Sequence, residues 1–214
     1  MRASKGNMYR FCSHTHNPIK GKCSHDCIYC YMKIFLQKPI RLDETELNEN
    51  LGEGNIIFIG SSTDVFAEDV PKEWIMKVFE QCKKFNNTYL FQSKNPGRMA
   101  EFLGFYPHRT IFGTTIESNR DYGISKAPDI NLRQMYFRCL PGRRMITLEP
   151  LMDFDLKEFV DIIKSCEPEW VNIGADSKNH NLPEPSKEKI LALIKELSQF
   201  TKVIQKDNLR RLLK

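Results

Sequence analysis

Several features are missing from this 214-residue chain, and each absence removes a class of explanation. No apolar run approaches the roughly 20 residues that a membrane-spanning helix requires, so no membrane partner is expected. No secretory signal is visible and the seven cysteines are an odd number, so a disulfide framework of the secreted type is not expected either. Clustered thiols fit a reducing compartment, and a cytoplasmic location follows as the expectation. Neither an internal repeat nor a low-complexity linker interrupts the chain, which makes one domain over residues 1–214 the economical reading. Excess charge is slight: the formal net charge of +5 favours an anionic partner such as a nucleotide or nucleic acid only weakly. A solvated lysine-rich surface, to which Lys83-Lys84 and Arg210-Arg211 would belong, is the commoner origin of such a balance. With 41% hydrophobic and 28% charged residues, the composition is that of a compact folded domain rather than a disordered segment.

What the chain does have is alternation. Short β-rich apolar runs at Ile56–Ile59, Tyr89–Phe91, Thr110–Thr115, Arg144–Leu148, Trp170–Ile173 and Lys202–Ile204 predict strands. Between them, helical periodicity predicts helices over Pro71–Phe85, Met99–Leu103, Asp129–Phe137, Leu156–Ser165 and Lys187–Phe200. Repeated βα units require parallel strands with right-handed crossovers, hence a twisted sheet that curls toward a barrel. A closed eight-unit barrel takes about 250 residues, so this chain is about two units short. The expected fold class is therefore α/β, a partial, open (β/α) barrel of six units.

In such folds chemistry gathers at the C-terminal ends of the strands. Here those ends, near 60–64, 92–94, 114–117, 149–150, 174–176 and 205–208, are all polar. A single one could be an ordinary loop or helix cap, the reading preferred for Asp69, Ser125, Asp155 and Ser186; recurrence at six ends points to a ligand. Asp64, Arg98, Glu149, Asp176, Lys206 and Asn208 are the candidates for the substrate side, with Asp64 and Glu149 also candidate catalytic groups. For Arg98 the competing reading is a surface helix residue, and for Lys206 an ion-pair partner of Glu149 or Asp176.

The most specific feature is CSHDCIYC, which spaces Cys23, Cys27 and Cys30 within eight residues. Three thiolates so close can wrap one loop around a soft metal centre, whereas zinc and ordinary iron–sulfur sites usually take four protein ligands. A zinc site remains the alternative, since Cys12, His14 and His16 precede the triplet and could supply a fourth ligand or most of a second site. That alternative describes a non-catalytic, zinc-stabilised nucleic-acid-binding protein. The other cysteines, Cys12, Cys82, Cys139 and Cys166, read as small buried hydrophobes. Cys139 is the one set apart for a test, as a candidate catalytic hydrogen donor, a role implied only by the resemblance described next.

The CxxxCxxC loop with Tyr29 before its last cysteine resembles the cluster loop of the radical S-adenosylmethionine (SAM) superfamily. The stretches THNPIKGKCSHDCIYCY, FIGSSTDVFAEDVP, FQSKNPGRM, IFGTTIES, ITLEPLM and VNIGADS further resemble the phage-type radical-SAM proteins related in layout to spore photoproduct lyase. The resemblance implies that Cys23, Cys27 and Cys30 ligate a 4Fe-4S cluster whose free iron chelates SAM. Tyr29 would then lie against the adenine, and Gly60, Ser61 and Ser62 would meet the methionyl ammonium. Ser93 and Thr115 would bind the ribose, with Glu117 close by. It also implies reductive SAM cleavage, hydrogen abstraction from a substrate and a reductant protein such as flavodoxin or ferredoxin. A nucleobase, nucleotide or DNA is the expected substrate, with a small metabolite as the alternative. The chain has no second cysteine cluster for an auxiliary centre, which argues against a peptide maturase.

Overall fold

A computed structural model of the chain describes residues 1–36 and 38–214. In chain order its elements are β1 (Arg2–Ala3), β2 (His14–His16), β3 (Ile19–Lys20), a 3-10 turn (Tyr31–Ile34), β4 (Arg41–Leu42), α1 (Glu44–Leu47), β5 (Ile56–Ile59) and α2 (Lys72–Lys83). They continue with β6 (Thr88–Gln92), α3 (Pro96–Ala100), β7 (Thr110–Thr115), α4 (Ile130–Phe137), β8 (Arg143–Leu148), α5 (Leu156–Ser165), β9 (Trp170–Ile173), α6 (Lys187–Leu197), β10 (Lys202–Gln205) and a final 3-10 turn (Asp207–Leu212).

The main sheet has eight strands in the order β1-β2-β5-β6-β7-β8-β9-β10. All neighbours from β2 onward pair in parallel, while β1 pairs β2 antiparallel at the edge. The six expected strands are present and adjacent in sequence order, as successive βα units require. A seventh parallel strand, β2, was not expected, because three polar residues carry no apolar run. Helix α3 begins three residues earlier than its apolar pattern suggests. Pro96 fits the first helical turn, where no N–H is needed, and the Asn95 side chain accepts from Arg98 N at 3.2 Å.

Strand residues divide by parity. Ile57, Ile59, Tyr89, Phe91, Phe112, Ile146, Leu148, Val171 and Ile173 face the helices and are buried. Helix α2 meets them with Ile75, Val78, Phe79 and Cys82, an i, i+3, i+4, i+7 stripe. Phe79 stands edge-on to Phe91 at 5.3 Å and contacts Phe66, Phe102 and Tyr106. On the other face Phe58, Leu90, Ile111, Met145 and Trp170 form a smaller cluster, covered by Tyr9 and Cys12 from the N-terminal segment. Cys12, Cys82 and Cys166 are buried, as their apolar reading predicts.

Candidate functional site

The C-terminal ends of β5 to β10 surround a cavity of about 450 Å³ whose wall also includes Cys23, Cys27 and Cys30. The loop after β3 carries the cysteines there. Its shape is set by side-chain anchors rather than by sheet pairing: His25 Nε2 lies 2.9 Å from Asp64 Oδ2, Thr63 Oγ1 donates to Gly21 O at 2.9 Å, and Ile28 N donates to Ile124 O at 2.9 Å.

Asp64 organises this wall. Besides His25, it accepts from Ser93 Oγ, Lys94 N and Phe66 N, each at 2.9 Å. Burial opposes its ionisation, but the adjacent His25 and these donors hold the carboxyl below its usual range. Asp64 lines the cavity, and both its oxygens are engaged in joining the cysteine loop to the ends of β5 and β6. Ser93, expected at a ribose, spends its hydroxyl on Asp64 and accepts from Asn95 N at 2.8 Å.

Before it stands Gly60, at φ +77°; a Cβ there would lie 2.4 Å from Val65 Cγ2 and 2.8 Å from Thr63 O, so only glycine fits the turn. Asn17 Oδ1 accepts from Ser61 Oγ, Ser62 N and Ser62 Oγ at 3.1, 2.9 and 3.0 Å, tying this turn to the entry of the cysteine loop.

A second network lies deeper. Glu117 pairs with Lys94 at 3.2 Å and Arg133 at 2.8 Å, and Tyr29 donates its hydroxyl to Glu117. Burial alone would push the Glu117 carboxyl up, but the two cations outweigh it and bring it down to about 2. Burial and the Glu117 charge drive Tyr29 the other way, so it stays a neutral donor. The Lys94 ammonium also lies 3.0 Å from Cys27 Sγ and 4.3 Å over the Tyr29 ring. Thr115 Oγ1 accepts from Gln92 Nε2 at 3.0 Å on the same wall.

The third group is formed by the last strands. Glu149 accepts from Asn7 Nδ2 at 2.6 Å, Asn208 Nδ2 at 2.7 Å and Lys206 Nζ, so the ion-pair reading of Lys206 is the one realised. Gly174 lets these side chains approach, since a Cβ there would meet Glu149 Oε1 at 2.8 Å and Asn208 Oδ1 at 2.9 Å. Asp176 binds His180 Nδ1 at 2.6 Å and Lys178 N at 3.1 Å; burial opposes its charge, but His180 holds it below the usual carboxylate range. At the cavity floor the Tyr9 hydroxyl lies 2.6 Å from both Gln92 Oε1 and Thr147 Oγ1.

Four candidates are not on the cavity wall: Glu117 and Asn208 contact the wall residues Lys94 and Glu149, whereas Arg98 and Cys139 lie apart. Arg98 is buried behind it, donating to Glu68 O at 2.9 Å and to Val70 O, and so ties α3 to the loop after β5 instead of facing a substrate. Cys139 is exposed just past α4, with its thiol 3.3 Å from Met135 O, and is absent from the cavity wall. Cys139 is thus a candidate that the structure does not bring to the cysteine loop. Lys94, His25, Arg133 and Tyr9 are the site residues that sequence reasoning missed. Lys94 was visible only as one polar residue of a strand end.

The donor set fits a soft metal centre: all three cysteines line one cavity, and a cation stands beside one of them.

Solved structures share this fold. Spore photoproduct lyase, in a cysteine-to-serine mutant, is similar with a TM-score of 0.67 and 13% identity over 96% of this chain and 79% of that one. The lyase complexed with dinucleoside spore photoproduct gives 0.63 and 12% over 87% and 74%. Streptococcus suis SuiB bound to S-adenosylmethionine gives 0.58 and 11% over 91% and 50%. The chain thus shares its fold with spore photoproduct lyase and SuiB. No curated protein sequence matches the chain. Residues 7–203 match the family described as "Protein of unknown function (DUF5131)", and the chain belongs to that family.

Proposed function

We propose that this protein is a radical SAM enzyme. The carrying observation is the meeting of Cys23, Cys27 and Cys30 with the polar ends of six parallel strands around one cavity. A 4Fe-4S cluster held by those thiolates would supply the electron for reductive cleavage of SAM. The chain's own groups supply the rest. Lys94 offers a buried ammonium to a carboxylate entering beside Cys27, and Tyr29 offers a ring face at the same wall. Glu117 and Arg133 hold that pair in place at fixed charge. The main sheet is read as the partial barrel of six βα units, with β2 and the N-terminal segment on its flank.

The substrate is proposed to be a nucleobase, nucleotide or DNA. Lys5 and Lys178 stand on the far wall beside the Lys206–Glu149 and His180–Asp176 pairs and could meet an anionic group, and a lyase of the same fold was solved in complex with a dinucleoside. A small anionic metabolite is the second reading, favoured by the modest cavity volume. A flavodoxin- or ferredoxin-like protein is the proposed reductant. The test is anaerobic reconstitution with iron and sulfide, followed by paramagnetic resonance of the reduced protein with and without SAM. A cluster signal that shifts on adding SAM, and is missing in Cys27→Ala, supports the reading. A zinc-loaded, colourless protein indifferent to SAM overturns it.

A further inference from the structure

On the helix side of the sheet, away from the cysteines, another set of ligand atoms converges. His16 leaves β2 fully buried, and its Nε2 lies 3.0 Å from Gln81 Oε1 on α2. The Gln81 amide nitrogen donates to Glu46 O at 2.8 Å and Glu49 O at 3.1 Å, which fixes Oε1 as the acceptor. The proton of a neutral His16 ring is therefore on Nε2, and Nδ1 presents a lone pair. That Nδ1 is buried and has no hydrogen-bond partner. It points at two carboxylates, 3.1 Å from Glu46 Oε2 and 3.7 Å from Glu49 Oε2. A lone pair set against two anions is repulsive unless a cation joins them. A tetrahedral ion with bonds of about 2.1 Å places its ligands about 3.4 Å apart, and the two distances bracket that edge.

We propose that His16 Nδ1, Glu46 and Glu49 bind one divalent transition-metal ion of the zinc class. The mixed imidazole and carboxylate donors suit zinc better than magnesium or calcium, which prefer oxygen alone. Gln81 serves as the outer partner that fixes the ring tautomer. Two cations already face the carboxylates: Lys20 Nζ, 3.0 Å from Glu46 Oε1, and the Met1 ammonium, 3.6 Å from Glu46 Oε2 and in contact with Glu49. Lys20 holds the oxygen turned away from His16, so it does not compete. The Met1 ammonium does compete, and the ion displaces it. The ion ties β2 to α1 and α2 one residue before Asn17, which holds the Ser61-Ser62 turn. This site does not rest on the radical SAM reading.

The test strips the purified chain with chelator and titrates zinc against a chromophoric competitor. A second protein carries Cys23→Ser, Cys27→Ser and Cys30→Ser, so that zinc on the cysteine loop is removed. One equivalent of zinc is expected in the cysteine-free protein, and the unmodified chain keeps that equivalent beside any zinc on its cysteine loop, with affinity at this site falling at least tenfold on adding Glu49→Gln or Glu46→Gln. Cobalt(II) at the site in the cysteine-free protein should show d–d absorption without a thiolate charge-transfer band. Zinc that disappears with the three cysteines, or binding that Glu49→Gln leaves unchanged, overturns the proposal. Should the triple variant fail to fold, the Glu49→Gln comparison in the unmodified chain decides alone.

Discussion

Replacing Glu117 by glutamine tests the buried charge network on which the cavity wall depends. Its carboxyl is lowered from an ordinary 4.5 to about 2. At about 1.4 kcal/mol per pH unit, the gap corresponds to about 3 kcal/mol of stability. Because the folded value is the lower one, this stability is fully present above pH 4.5 and is lost as the pH falls toward 2. At neutral pH, Glu117→Gln leaves Lys94 and Arg133 buried without their shared counter-charge and should cost about 3–5 kcal/mol. Urea denaturation of the cluster-free protein, followed by the fluorescence of Trp74 and Trp170, would measure both forms at pH 7 and about pH 3. Other carboxylates titrate equally in the two proteins, so the difference between them isolates Glu117. That difference should shrink by about 2 kcal/mol at the lower pH. A constant difference would refute the reasoning, since it would mean that Glu117 has no lowered affinity for protons in the folded state.

Phe79→Ala should lower stability by about 3–5 kcal/mol in the same denaturation assay, because it removes the ring at the centre of the α2 aromatic cluster. Gly60→Ala should reduce both stability and SAM binding measured by calorimetry, since its methyl collides with Val65 and Thr63 O. Cys139→Ala, by contrast, is expected to leave SAM cleavage at the wild-type rate, its thiol lying outside the cavity. A loss of activity in that variant would return it to the site.

The parts of the fold that were legible in the sequence are those written as local pattern. Runs such as Ile56–Ile59 and Thr110–Thr115 are rich in β-branched and apolar residues and bounded by turns, and they became the parallel strands on either side of β6. His14–His16 could not be read this way, because β2 is specified by pairing with β5 and by contacts from α2. The polar strand ends were likewise visible as residue types. How each of them is engaged is decided by three-dimensional partners that residue type alone does not show. Asp64 faces four protein donors, and Arg98 faces backbone carbonyls. Lys94 was underrated for the same reason, since its distance to Cys27 joins residues 67 positions apart.

The most direct measurement is the fate of SAM. Protein reconstituted anaerobically with iron and sulfide, reduced with dithionite and given SAM should release 5′-deoxyadenosine, while Cys27→Ala treated identically should release none. Deuterated nucleosides added to the same assay should pass deuterium into that product if the proposed substrate class is right. Intact SAM in the presence of a fully loaded cluster, with no candidate substrate or reductant restoring cleavage, would contradict the account.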